Sequence, residues 1–117
     1  MANKIRIYHN PRCSKSRQTL ELLQENHLQP DVIEYLNTPP SAAELTAILQ
    51  MLGLKPRQLM RTRETEYKAL DLDNTKLSNE QLIKAMVEHP RLIERPIVVA
   101  NGKAAIGRPP ETVLEIL

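Results

Sequence analysis

Two short apolar stretches bracket an amphipathic one in the first third of the chain, and that order limits the fold more than any other feature. In Ile5 to Tyr8, Ile5 and Ile7 fall on one face of a strand, and the turn His9-Asn10-Pro11-Arg12 ends it. Leu20, Leu23 and Leu28 then give a helix its apolar stripe, Pro30 breaks it, and DVIEYL over 31–36 reads as a second strand. Strand, helix and strand in this order form a βαβ unit with parallel strands and a right-handed crossover. The spacing therefore predicts an α/β fold.

The period changes in the middle of the chain. SAAELTAILQML opens on Ser41-x-x-Glu44 and SNEQLIKAMVEH on Ser78-x-x-Gln81, each a capping box followed by apolar residues at helical spacing. A helical block of about fifty residues far exceeds the dozen or so that a parallel crossover requires. Residues 41–90 are therefore read as a helical insertion covering one end of the sheet. PIVVA, the dipeptide Asn101-Gly102 and KAAIG next predict a hairpin with a two-residue turn, and Pro109-Pro110 leads into a closing helix, ETVLEIL. At 117 residues, 1–117 is expected to fold as a single domain.

The 16 basic and 14 acidic residues are interspersed, without the basic run that nucleic acid or an anionic membrane would select. The start, MANKIRIYHN, lacks the apolar core of a secretory signal, and no apolar run approaches the roughly 18 residues of a membrane span. A cytoplasmic protein with no nucleic-acid or membrane partner is expected.

Cys13 is the only cysteine, so neither an internal disulfide nor a multi-cysteine metal site can form, and redox chemistry needs a thiol from another molecule. It stands at the strand-to-helix junction among Arg12, Lys15 and Arg17. The unpaired N–H groups and positive end of a helix start favour a thiolate and also bind a tetrahedral oxyanion, so nucleophile and anion cradle would coincide. Cys13-Ser14-Lys15-Ser16 is a Cys-x-x-Cys in which serine replaces the second cysteine, so an adduct on Cys13 must be resolved from outside the chain. A phosphatase loop, Cys-x5-Arg, would need arginine where Thr19 stands. The plain alternative is a cysteine that packs beneath the first helix.

YHNPRCSKSRQTLELL, EYLNTPP, LIERPIVV and IGRPPETVLEIL, in this order and over nearly the whole chain, resemble the ArsC-type arsenate reductases coupled to glutathione and glutaredoxin. The resemblance implies an α/β, thioredoxin-like (glutaredoxin-like) fold: a four-stranded mixed sheet with a helical insertion. It implies Cys13 as the nucleophile toward arsenate, and Arg61, Arg95 and Arg108 as the arginines that hold the oxyanion. Arg57 and Arg63 flank Arg61 and compete for its role. His9 matches the family histidine that supports the thiolate, which an imidazolium would do electrostatically. Asn10, Ser14 and Ser16 can donate hydrogen bonds to sulfur or bound oxygen, or cap the helix. Arg95-Pro96 falls where thioredoxin-like proteins carry a cis-proline. His27 and His89, at helix ends, read as structural.

The physical case for the arginines is that arsenate is mostly a dianion near neutral pH, and guanidinium forks neutralise its oxygens while leaving arsenic open to attack. No metal or bound organic cofactor is implied, glutathione is a co-substrate, glutaredoxin a protein partner, and a monomer is expected. Two other readings keep the fold. One is a related thiol reductase acting on another oxyanion or a glutathionylated substrate. The other is an Spx-like regulator that binds RNA polymerase, whose redox-switching members carry a Cys-x-x-Cys pair that Ser16 breaks.

Overall fold

Strand β1 (Arg6–Tyr8) pairs in parallel with β2 (Asp31–Ile33), Ile7 opposite Val32, as the βαβ reading requires. On its other side it pairs antiparallel with β3 (Ile97–Ala100), Ile7 opposite Val98. β3 turns back onto β4 (Lys103–Ile106), so the sheet is mixed, in the order β2-β1-β3-β4. The hairpin turn is Asn101-Gly102, both with positive φ (56° and 71°), the conformation that a two-residue turn between twisted strands demands. Asn101 Nδ2 also donates to Ile116 O at 2.9 Å, tying the turn to the last helical segment.

This computed structural model describes residues 5–117, so the part of the leader reading that falls on residues 1–4 lies outside the described residues. The chain divides into two units, one running up to Thr38 and resuming over Arg95–Leu117, the other Pro39–Glu94. The first holds the sheet, helix α1 (Ser14–Glu25) and a 3-10 helix, Pro110–Ile116. Ile7, Leu23, Val98 and Val113 are all fully buried in its core, one from each of β1, α1, β3 and the 3-10 helix. Full burial of such a side chain contributes about 1.5–3 kcal/mol.

Two elements differ from their sequence expectation. β2 stops at Ile33 because the Glu34 carbonyl is taken by a turn, accepting from Asn37 N at 2.9 Å and Thr38 N at 3.0 Å. The closing segment is 3-10 rather than α: Thr112 N donates to Pro109 O at 3.1 Å and Leu117 N to Leu114 O at 3.3 Å. Prolines 109 and 110 supply no N–H, and so short a segment gains little from the wider α spiral.

The second unit contains α2 (Ala42–Leu52), α3 (Pro56–Leu59), α4 (Thr65–Ala69), α5 (Asn79–Glu88) and a 3-10 turn, Pro90–Leu92. Ser41 Oγ accepts from Glu44 N at 3.1 Å, and at α5 the box is complete, with Gln81 Oε1 accepting from Ser78 N at 2.8 Å. Gly53 ends α2 in the left-handed region that favours glycine (φ 68°). Leu45, Ile48 and Leu49 of α2 and Leu82, Ile83 and Met86 of α5 are buried. Among the described residues no helix is long and apolar enough to cross a membrane.

Candidate active site

The loop after β1 is shaped by its own short-range bonds. His9 N donates to Ile33 O at 2.8 Å, carrying the parallel ladder one step past the strand. Asn10 then closes a tight turn, Oδ1 accepting from Arg12 N at 3.0 Å and its carbonyl from Cys13 N at 3.0 Å. Cys13 is left at the N-cap of α1 with extended backbone (φ −97°, ψ 123°) and no side-chain cap bond. Its carbonyl accepts the first helical bond, from Arg17 N, so the sulfur lies where the N–H groups of the first turn have no intrahelical partner.

Arg108 reaches this sulfur from across the fold: Nη2 lies 3.7 Å from Cys13 Sγ, while Nε donates to Arg95 O at 2.8 Å. Arg95 and Arg108 flank the open end of the β3–β4 hairpin, where Gly107 N donates to Pro96 O at 2.9 Å. Nε and Nη1 of Arg95 are buried. Both arginines precede cis prolines, Arg95-Pro96 as the sequence suggests and Arg108-Pro109 without forewarning.

His9 is 6% exposed and Ser16 is fully buried. His9 Nδ1 lies 2.6 Å from Ser16 Oγ, which also accepts from Asn10 N at 3.0 Å. Burial pushes the imidazole below its ordinary value, with the Glu34 carboxylate partly opposing. A neutral ring follows, and the network is consistent when Ser16 O–H donates to Nδ1 while the same oxygen accepts from Asn10 N. The imidazolium invoked from sequence is thus disfavoured by burial, and the Ser16 hydroxyl is turned to His9 and Asn10. The linkage has a definite sign. An unfolded histidine takes a proton near pH 6.5 and the buried one resists it, so stability is full above that pH and falls as pH drops toward the depressed folded value. Urea midpoints at pH 7.5 and 5.5 should therefore differ more in the parent than in His9→Gln; equal differences would remove His9 as the cause.

Sequence reasoning passed over Thr19 and Gly107, whose signal is only steric. Thr19 is fully buried, its hydroxyl donating to Lys15 O at 2.8 Å. A Cβ on Gly107 would overlap Thr19 Oγ1 and come within 2.8 Å of Pro96 Cγ, so the loop leading to Arg108 meets α1 only without a side chain. Gly107→Ala should cost about 1–3 kcal/mol in urea unfolding, as overpacking of a tight contact does. Adding Thr19→Ala should restore part of that loss, and no restoration would place the strain elsewhere.

Arg61 lies in the second unit. Its backbone N donates to Leu92 O at 2.7 Å, Nη1 is paired with Glu64, and Nε is 3.9 Å from Glu94 Oε1. Glu64 is shared with Arg91, 3.3 Å away. Arg57 Nη2 donates to Leu72 O at 3.2 Å and Asn74 O at 2.9 Å. Arg63 is exposed.

A mixed β2-β1-β3-β4 sheet, with a cysteine capping the helix after the first strand and a cis-proline opening β3, defines a thioredoxin-like protein. An arsenate reductase from Vibrio cholerae superposes with a TM-score of 0.97 at 56% identity, covering 100% of both chains. An arsenate reductase of Haemophilus influenzae is 56% identical over 95% of this chain and 97% of its own. The uncharacterized protein YfgD of Escherichia coli K12 is 59% identical over 100% of this chain and 99% of its own. The ArsC family model matches residues 8–116, and the chain belongs to the ArsC family.

Proposed function

We propose that this chain reduces arsenate to arsenite through an adduct on Cys13 that glutathione and glutaredoxin resolve. The observation that carries the reading is the approach of Arg108 Nη2 to within 3.7 Å of Cys13 Sγ at the start of α1. A guanidinium held there, with its Nε fixed on the Arg95 carbonyl, meets an incoming oxyanion beside the nucleophile. The relatives named arsenate reductases support arsenate as that oxyanion.

In this reading the Cys13 thiolate attacks arsenic, a sulfur–arsenic bond forms, and one arsenate oxygen leaves as water after taking up protons. Arg95 and Arg108 neutralise the remaining oxygens. Arsenic stays pentavalent as glutathione adds its thiol. The glutathione thiol displaces a second oxygen, which leaves as water; the glutaredoxin thiolate then attacks the glutathione sulfur, the mixed disulfide forms as two electrons pass to arsenic, and water cleaves the Cys13–arsenic(III) bond to release arsenite and the free thiol. His9, Ser16 and Asn10 act as positioning residues that fix the loop carrying Cys13. The chemistry draws on thiols alone, and a reducing cytoplasm supplies them; a monomer suffices.

The test is arsenite production by purified protein with glutathione and glutaredoxin, run beside phosphate, sulfate and a glutathionylated peptide. Arsenite formation that needs all three components supports the reading. Turnover of the glutathionylated peptide without arsenate turnover would replace it with a thiol-transfer reductase.

A further inference from the structure

The four residues that lead into Cys13 have a second face. Together with the turn that ends β2 they wall a cavity of about 340 Å³, whose other lining residues are Glu34, Leu36 and Asn37. That volume lies within the range of small-molecule sites, about 300–1,000 Å³. Arg12 and Glu34 are exposed, and neither side chain makes an ion pair among the described residues. Both line the one cavity, and no ion pair joins them.

Opposite charges held apart in a small cavity suit a ligand that carries both signs a short distance apart. A single anion would meet the Glu34 carboxylate and a single cation the Arg12 guanidinium. An α-amino acid end, with ammonium toward Glu34 and carboxylate toward Arg12, satisfies both. We infer that this cavity binds the zwitterionic γ-glutamyl end of the thiol tripeptide that resolves Cys13, an inference that rests on the function proposed above. An extended tripeptide spans about 10 Å, and Arg12, which lines the cavity, directly precedes Cys13 in the chain. Leu36 offers an apolar wall for the glutamyl methylenes. Arg12 binds the ligand's carboxylate on this account, and Arg108, beside the Cys13 sulfur, meets arsenate.

The test uses S-methylglutathione, which cannot react, titrated into the intact protein and followed by amide NMR shifts. Shifts should concentrate at 9–12 and 34–37. Arg12→Gln and Glu34→Gln should each weaken binding about tenfold, the scale of one charge-assisted contact. The N-acetyl derivative, with no ammonium, should bind the parent about tenfold more weakly and lose nothing further in Glu34→Gln. Unchanged affinity in both variants, or shifts confined to other residues, overturns the cavity assignment. The outcome for the reaction is separate. Arsenite formation by Arg12→Gln with an unaltered KM for glutathione would sink the cavity while leaving the reductase standing. Absence of arsenite formation by the parent would remove the reductase while the titration still reports on the cavity.

Discussion

Cys13→Ser is expected to lower arsenite formation by at least about 10³-fold, the scale on which loss of a covalent nucleophile acts. It is expected to do so in a protein no less stable than the parent. Cys13 occupies the N-cap of α1 and makes no side-chain cap bond, whereas serine is among the preferred N-caps and can accept from the N–H groups of the first turn. Loss of activity with a held or raised urea midpoint would separate chemistry from folding. A folded Cys13→Ser protein that still makes arsenite would refute the nucleophile. An unfolding free energy lowered by several kcal/mol would favour the packing alternative, because only a cysteine needed by the core would be missed in that way.

Arg108→Ala is expected to cost about 10²–10³ in kcat/KM for arsenate, as removal of one preorganised donor to a developing charge does. Arg108→Lys should recover less than a tenth of the loss. The guanidinium performs two tasks at once, Nε on the Arg95 carbonyl and Nη2 beside Cys13 Sγ, and an ammonium cannot divide itself between them. Arg63→Ala, on the exposed surface of the other unit, serves as the comparison. Equal losses at positions 63 and 108 would mean that net charge, rather than a placed fork, governs the anion.

Much of this is legible in the sequence. The parallel pair around the first helix follows from apolar spacing, and the hairpin follows from Asn101-Gly102, because local chemistry decides both. Cys13 at a helix start was legible for the same reason. What escaped the sequence depends on partners distant in the chain. Nothing near Ser16 announces that its hydroxyl meets His9, and nothing near Thr19 announces that Gly107 must lack a side chain. The choice among Arg57, Arg61 and Arg63 illustrates the limit. Their sequence settings are similar, and nothing in them announces that Arg57 donates to the carbonyls of Leu72 and Asn74. The shortened β2 and the 3-10 close are boundary effects, decided by one carbonyl and two prolines.

The pairing of Ile7 with Val98 sets the order in which this protein can mature. β1, α1 and β2 leave the ribosome early and β3 late, with all of Pro39–Glu94 made in between. Until β3 arrives, β1 has one neighbour, the core lacks Val98 and Val113, and Cys13 lacks Arg108. Non-local closure of this kind is the slow step of folding. The nascent thiol therefore waits, uncovered and without Arg108, through most of synthesis, and a chain stalled before Ile97 should be more readily alkylated at Cys13 than the finished one.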